Sequence, residues 1–400
     1  MSEKLKLKII NEGMVKLYVP DINYYSIYGG SKEPSRAPVF YNSRMIFDRD
    51  LSILVLKNFR DLIGEDLRVC DSLSGTGVRG LRYGLEVDGI DSVWFNDWNP
   101  LAVEVIHKNL NLNSFKISAT VSCLDARLMF LMNSNFNSRF HVIDIDPFGS
   151  PAKYFQPALN SLRNNGLMCI TATDIPALFG KYPYTCWRRY GALPISTTFS
   201  HEISIRILLG FLIRNSTIYN FSFKPLLCYS RMHYIRFFLQ FIYDKDKANE
   251  AMESLGYIAF CKNCLYREVF RGLVPSFPDK CPNCGSTLDF SGPLWVGSLF
   301  DPDFINKLRF TVSNMVYINF HLLDIFLKLI QEESNGPPTF YVLDEFSKKL
   351  KSSSPNVTAV IDELKSMGFF ASRTHFHPKG VRTNAPTNII FDVVKSSLSQ

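Results

Sequence analysis

His141-Val142-Ile143-Asp144-Ile145-Asp146-Pro147-Phe148-Gly149-Ser150-Pro151 is the stretch around which the rest of the chain is organised. An apolar run with alternating acids stops abruptly at Pro147 and Gly149, which predicts a buried strand ending in a rigid turn. In an open α/β sheet, ligands lie beyond the carboxyl ends of the strands, so this turn should line a cleft. Asp146 brings a carboxylate, Pro147 a carbonyl with no N–H beside it, and Phe148 a flat apolar face. Together they could hold a planar base and accept hydrogen bonds from an exocyclic amine. An Asp-Pro turn that merely ends a strand would read the same way in this stretch alone.

Outward from the turn, strands and helices alternate. Residues 67–71 read as a strand, followed by a glycine-rich loop and a helix to about residue 87. A strand at 92–96 ends at Asp97, a helix covers 100–111, and a strand at 118–122 leads to Asp125 and Ala126. Residues 166–173 form a further strand ending at Asp174. This repetition predicts an α/β fold with a doubly wound, mostly parallel, Rossmann-like sheet. Upstream, residues 51–59 read as a helix capped by Asp48 and Asp50. Downstream, 201–213 is helical, and 221–229 and 232–241 read as two late antiparallel strands. From about residue 245 the pattern changes, dividing the chain into domains at 1–244 and 245–400. The second is an α+β region. It holds a cysteine-rich insert, a helical stretch at 302–333, and a tail at 339–395 whose helix–helix–strand order resembles a winged helix.

Gly75-Thr76-Gly77-Val78-Arg79-Gly80 satisfies the G-x-G-x-x-G template after a strand and before a helix. Alone it suits nicotinamide, flavin or S-adenosylmethionine. Asp97, at the end of the next strand, can bind ribose hydroxyls. Two features favour S-adenosylmethionine. Asp71 stands before the glycines, where a ligand without pyrophosphate can meet a carboxylate. Asp125 follows the third strand, where an adenine amino group needs an acceptor.

Cys261-Lys262-Asn263-Cys264 and Cys281-Pro282-Asn283-Cys284 are two C-x2-C knuckles with the spacing of a tetrahedral zinc site. Four thiolates would close the coordination sphere, so Zn2+ here is expected to be structural. The other cysteines, Cys70, Cys123, Cys169, Cys186 and Cys228, lie mostly in apolar strand contexts. A chain with nine cysteines and no apolar leader suits a reducing, cytoplasmic setting. Residues 1–11 alternate leucine or isoleucine with lysine, as a strand would. The apolar segment 310–330 carries Asn, His, Asp and Lys and reads as a buried helix, so no membrane association is expected. No obligate protein partner is evident. The net charge of +7 permits a nucleic-acid partner without demanding one. Arg188-Arg189-Tyr190 and the tail from Arg373 to Arg382, which mixes cations with aromatics, are the segments best suited to RNA phosphates.

Several of these segments are together similar to one family. They are Phe40-Tyr41-Asn42 through Arg49-Asp50, the loop Asp71 to Gly77, the turn Asp144 to Pro151, and Tyr190-Gly191-Ala192-Leu193-Pro194 with His201-Glu202. The family is the Trm1 family of tRNA (guanine-26) N2,N2-dimethyltransferases, and the resemblance covers most of the chain. It implies a methyltransferase sheet, S-adenosylmethionine as methyl donor and tRNA as partner. It also implies that Arg49, Arg79, Asp97, Asp125 and Ala126 contact the cofactor. Asp146 would be the catalytic acid-base residue, with Phe40 and Phe148 embracing the base. Two positions depart from the family pattern: Ser43 replaces a common proline, and Asp48 stands where asparagine is frequent. Position 26 comes from the resemblance alone. Other readings weighed against it are an amino-methyltransferase of DNA or ribosomal RNA, a dinucleotide-dependent dehydrogenase, and a non-catalytic RNA-binding zinc protein.

Overall fold

The computed structural model describes residues 5–27, 34–312 and 320–397, with the side chain of Phe320 excepted. Residues 1–4 of the expected N-terminal strand and residues 313–319 of the expected 302–333 helix lie outside the described residues.

The chain opens with a hairpin, β1 (Leu7–Glu12) and β2 (Val15–Pro20), followed by a short helix α1 (Ile22–Ile27). The long helix α2 (Ile46–Ile63) then leads into seven strands, β3 (Leu67–Asp71), β4 (Ile90–Asn96), β5 (Ser118–Ser122), β6 (Phe140–Ile145), β7 (Leu162–Ala172), β8 (Phe221–Arg231) and β9 (Tyr234–Tyr243). They form one sheet in the order β5-β4-β3-β6-β7-β9-β8. Neighbours from β5 to β7 are parallel, whereas β9 runs antiparallel to both β7 and β8. The middle strand β6 is buried at every position. That is why it reads as a continuous apolar run rather than an alternating one. The helices that connect the parallel strands are α3 (Val78–Glu86), α4 (Pro100–Leu112), α5 (Ala126–Met132) and α6 (Ala152–Asn160).

Three local expectations are corrected. Helix α2 starts five residues before residue 51, so Asp48 and Asp50 lie inside it and do not cap it. Their carboxylates are buried on Arg79 and Arg82, and the helix is instead entered through a 3-10 turn in which the Asn42 side chain accepts the Arg44 N–H. Strand β9 begins at Tyr234, because Met232 adopts φ 53° in the hairpin turn. Strand β7 begins at Leu162, with its pairing to β6 interrupted by a bulge between Leu162 and Leu167.

After β7 come α7 (Ile175–Leu178), α8 (Pro183–Tyr190) and α9 (Ser200–Ser216). Helix α9 is buried on nearly all sides. A helix apolar all round belongs inside a larger assembly, and α9 packs on both β8 and the last strand of a second sheet. That sheet comprises β10 (Leu255–Phe260), β11 (Arg267–Arg271) and β12 (Asp289–Trp295), in the order β11-β10-β12. Beyond it lie α10 (Lys245–Met252, on β8), the paired helices α11 (Pro302–Val312) and α12 (Phe320–Glu333), and a closing unit. The closing unit has three short strands, β13 (Tyr341–Val342), β14 (Ala371–Thr374) and β15 (His377–Thr383), with helices α13 (Leu343–Leu350), α14 (Val357–Ser366) and α15 (Thr387–Ser396). One continuous apolar core runs from Val15 to Val394. No helix among the described residues is long and apolar enough to cross a membrane.

Candidate active site and metal centre

The order of the sheet reverses between β3 and β6, since successive strands are added to one side of β3 and then to the other. The crevice at such a switch point, beyond the carboxyl ends of the strands, is where an open α/β sheet binds its ligands. Its floor is the turn between β3 and α3. Gly75 and Gly77 both hold left-handed backbone, at φ 55° and 76°. A Cβ on Gly75 would also lie 2.9 Å from the Phe40 carbonyl oxygen. Gly80 serves packing, because a Cβ there would enter the Phe95 ring of β4. Asp97, at the end of β4, accepts the Gly75 N–H at 2.8 Å and the Asn99 N–H at 2.9 Å. Burial raises its carboxyl above the usual range, opposed by these N–H groups.

Asp146 stands at the end of β6, and its side chain keeps about a quarter of its exposure. The Arg79 guanidinium holds one of its oxygens, with Nη2 at 2.7 Å and Nε at 3.0 Å. The same Nη2 reaches the buried Asp48 at 2.5 Å. Behind Arg79 lies a second guanidinium, Arg236 of β9, paired with Asp144 at 2.6 and 2.9 Å and bonded to Thr171. Tyr83 donates to Asp144 and Tyr229 to Asp48. Burial would raise the carboxyls of Asp48 and Asp144, but Arg79 and Arg236 outweigh it and hold both below the ordinary range. The turn itself is clamped. Gly149, at φ 81°, donates its N–H to the Thr173 hydroxyl and accepts the Thr173 N–H.

Phe148 projects from the turn, 70% exposed, and meets Phe40 edge to face with centroids 4.9 Å apart. Hence the structure brings Phe40, Gly75, Arg79, Asp97, Asp146 and Phe148 to one crevice; Pro147 is buried within the turn. The other residues expected at the site sit differently. Arg49 is buried behind it, bidentate on Glu12 at 2.5 and 2.7 Å and bonded to the Asn42 carbonyl. Asp71 lies beneath the glycine loop, where its carboxylate takes the Gly80 N–H at 3.0 Å. Asp125 caps α5 and pairs with Arg127 at 2.7 Å on the surface, and Ala126 beside it is buried. The sequence reading missed Glu12, Asp48, Tyr229 and Arg236 as parts of the support. In the basic tail that it offered to phosphates, two of the side chains are already engaged by buried acids. Arg382 is buried on Glu202 and Glu333, His375 is buried on Glu333, and Lys379 pairs with Asp344.

The crevice suits a cationic ligand. Asp97 and Asp146 follow the strands β4 and β6 that border it, and the buried Asp71 and Asp144 lie beneath. Arg79 is engaged by two acids and offers a pyrophosphate little. The donor set therefore fits the sulfonium of S-adenosylmethionine better than a dinucleotide.

At the far end of the chain, the sulfurs of Cys261, Cys264, Cys281 and Cys284 lie within 4.8 Å of one another. Each knuckle repeats one geometry: the residue after the second cysteine, Leu265 or Gly285, is left-handed and returns its N–H to the first cysteine's carbonyl. Zn–S bonds of about 2.3 Å separate tetrahedral sulfurs by roughly 3.8 Å, and two of the pairs here stand at 3.5 Å. The cluster has the donors and size for zinc.

Five parallel strands, closed by an antiparallel hairpin in place of a sixth parallel strand, surround a glycine loop faced by an acid on the next strand. These features define the class of S-adenosylmethionine-dependent methyltransferases. Within that class, the model of the family "N2,N2-dimethylguanosine tRNA methyltransferase" matches residues 13–395, and the chain belongs to this family. It is 40% identical over 397 residues to the tRNA (guanine(26)-N(2))-dimethyltransferase of Methanosphaera stadtmanae, covering 98% of each chain. It is 33% identical to the enzyme of that name from Pyrococcus furiosus, over 98% of this chain and all of that one. A solved structure of Trm1 from Pyrococcus horikoshii with S-adenosyl-L-methionine is similar with a TM-score of 0.85 and 30% identity. That match covers 97% of this chain and 100% of the other.

Proposed function

We propose that the protein transfers methyl groups from S-adenosylmethionine to the exocyclic N2 of guanine 26 in tRNA, giving N2,N2-dimethylguanosine. The observation that carries this reading is the quarter-exposed Asp146 carboxylate, fixed by Arg79 at the switch-point crevice beside two facing phenylalanines. When bound, S-adenosylmethionine supplies an electrophilic methyl group on a sulfonium. Gly75 and Asp97 form its bed, with Asp125 and Ala126 at the rim. Asp71, Arg79 and Arg49 act beneath or behind, holding the glycine loop, Asp146 and the Phe40 segment in place.

A guanine amine is a poor nucleophile because its lone pair is delocalised into the ring. Asp146 accepts one N–H and the Pro147 carbonyl the other, which favours a pyramidal nitrogen. Asp146 would then take the proton as the N–C bond forms and the methyl–sulfur bond breaks, its electron pair staying on a neutral thioether, and fixed geometry supplies much of the rate. Phe40 and Phe148 replace the stacking that the base loses when it leaves the RNA. Residues 1–244 form the methyltransferase domain and 245–400 an RNA-gripping region whose four cysteines hold Zn2+, in a cytoplasmic enzyme. One zinc per chain by atomic absorption, lost in Cys264→Ser, is the expected metal content.

The deciding experiment incubates purified protein with an unmodified tRNA transcript and methyl-labelled S-adenosylmethionine, then digests the RNA. Label is expected in N2-methyl- and N2,N2-dimethylguanosine and should vanish when guanine 26 is replaced. Label found only in DNA or ribosomal RNA would overturn the substrate.

A further inference from the structure

We infer that α8 and the two residues before it form a stacking platform for the RNA nucleotides next to the target guanine. The inference rests on the proposed RNA substrate and adds the surface that holds it. Between Asp146 and Glu202 the sequence contains one acidic residue, Asp174. That acid is buried: its Oδ2 accepts the Tyr190 hydroxyl at 2.6 Å and pairs with Arg189 at 2.9 Å. The surface of this stretch is therefore free of negative charge.

On it stand Tyr184 at 78% exposure, Trp187 at 56% and Tyr182 at 52%. Tyr184, Trp187 and Arg188 follow the i, i+3, i+4 spacing that places side chains on one helix face, while Cys186 and Tyr190 point inward. Lys181 lies over the Tyr182 ring at 5.6 Å, and Arg188 is exposed. Three exposed aromatics with two cations and no acid match a single-stranded nucleic-acid surface, where bases stack and phosphates are neutralised.

Its position fits as well. The Ser150 hydroxyl, in the Asp146–Pro151 turn, donates to the Tyr190 oxygen at 2.6 Å, so α8 is fastened to the element that presents Phe148. Nucleotides flanking an extruded base would be delivered here. The tail from Arg373 to Arg382, by contrast, has spent Arg382 and His375 on buried acids.

The test measures binding of a fluorescent tRNA transcript by anisotropy, with the full-length protein and its Y184A/W187A/R188A variant. The variant should bind at least about tenfold more weakly, since each base–aromatic stack contributes roughly 1–3 kcal/mol, or about 5- to 150-fold. Its log Kd against log salt slope should be shallower by about one phosphate contact. Trp187→Phe should retain most of the affinity, and S-adenosylmethionine affinity by calorimetry should not change. Equal tRNA affinity and salt slope in wild type and variant would overturn the platform. So would a wild type that self-associates through this face, shown by sedimentation, while tRNA affinity ignores the substitutions. A wild type that binds tRNA but methylates no guanine would refute the proposed activity and leave anisotropy to judge the platform. A wild type that binds no RNA would overturn both.

Discussion

Two buried ion clusters, about equally dry, differ in balance and in what they face. Beneath the crevice, Asp48, Asp71, Asp144 and Asp146 share two guanidiniums, Arg79 and Arg236. Where α9 meets the closing unit, Glu202 and Glu333 are matched by Arg206, Arg382 and His375. In the second cluster burial is more than offset: Arg382 and Arg206 bring Glu202 down to about 2, and His375 and Arg382 hold Glu333 low. Both acids there are closed off from solvent. The first cluster keeps a surplus of acid and ends at a carboxylate that reaches the surface. A balanced cluster joins parts of a fold. An unbalanced one, opened at one end, is prepared to receive a proton and a cation.

The comparison is tested most severely at the open end. Asp146→Asn keeps the shape but removes the acceptor of the amine proton, and kcat should fall by about 10²–10⁴. S-adenosylmethionine and tRNA binding should persist. An unchanged kcat would strip the open carboxylate of its chemical role. The closed cluster should respond the other way. Arg382→Met leaves Glu202 and Glu333 buried without their shared partner, and denaturant unfolding should show a loss of about 3–5 kcal/mol. The kcat of the folded fraction should stay near wild type. A smaller effect is expected from Asp48→Asn. It removes one surplus charge and leaves Arg79 to Asp146 alone, so the carboxylate becomes a weaker acceptor. A roughly tenfold fall in kcat with an unchanged KM for tRNA is expected, consistent with a positioning role. A rise in KM with steady kcat would place Asp48 with the RNA instead.

How much of this could be read beforehand follows from distance along the chain. The 144–151 turn, the glycine loop and the cysteine knuckles declare themselves because their chemistry is local: a strand stopped by proline and glycine, a close approach, a ligand spacing. Arg236 gave no such signal. It sits in an apolar strand 92 residues from Asp144, and only the sheet order brings them together. Two side chains of the tail misled for the same reason. Arg382 and His375 look like phosphate ligands among their neighbours, yet their acids lie far off, Glu202 180 residues from Arg382 and Glu333 42 from His375. Asp48 was the recoverable case. An Asp-Arg-Asp triplet at the head of an apolar helix reads as a cap, but the same charges inside the helix must find partners in the core.

The acid surplus makes a last, smaller prediction through Asp71. Burial, and then Asp144 beside it on the neighbouring strand, push its carboxyl up to about 7, while the Gly80 N–H opposes them. In the unfolded chain the group titrates near pH 4. Between about pH 4 and 7 the folded state therefore binds a proton that the unfolded state has released, so stability falls as pH rises through that window and levels off above it. Asp71→Asn cannot titrate and keeps an oxygen for the Gly80 N–H. Its stability relative to wild type should improve from pH 4.5 to pH 8, by roughly 1–3 kcal/mol, visible in paired thermal melts. Glu202→Gln, in the balanced cluster, should destabilise at both values, because there the ionised form is the one the fold holds. If the Asp71→Asn difference is flat with pH, Asp71 stays charged alongside Asp144, and the surplus is absorbed by Arg79 rather than by a retained proton.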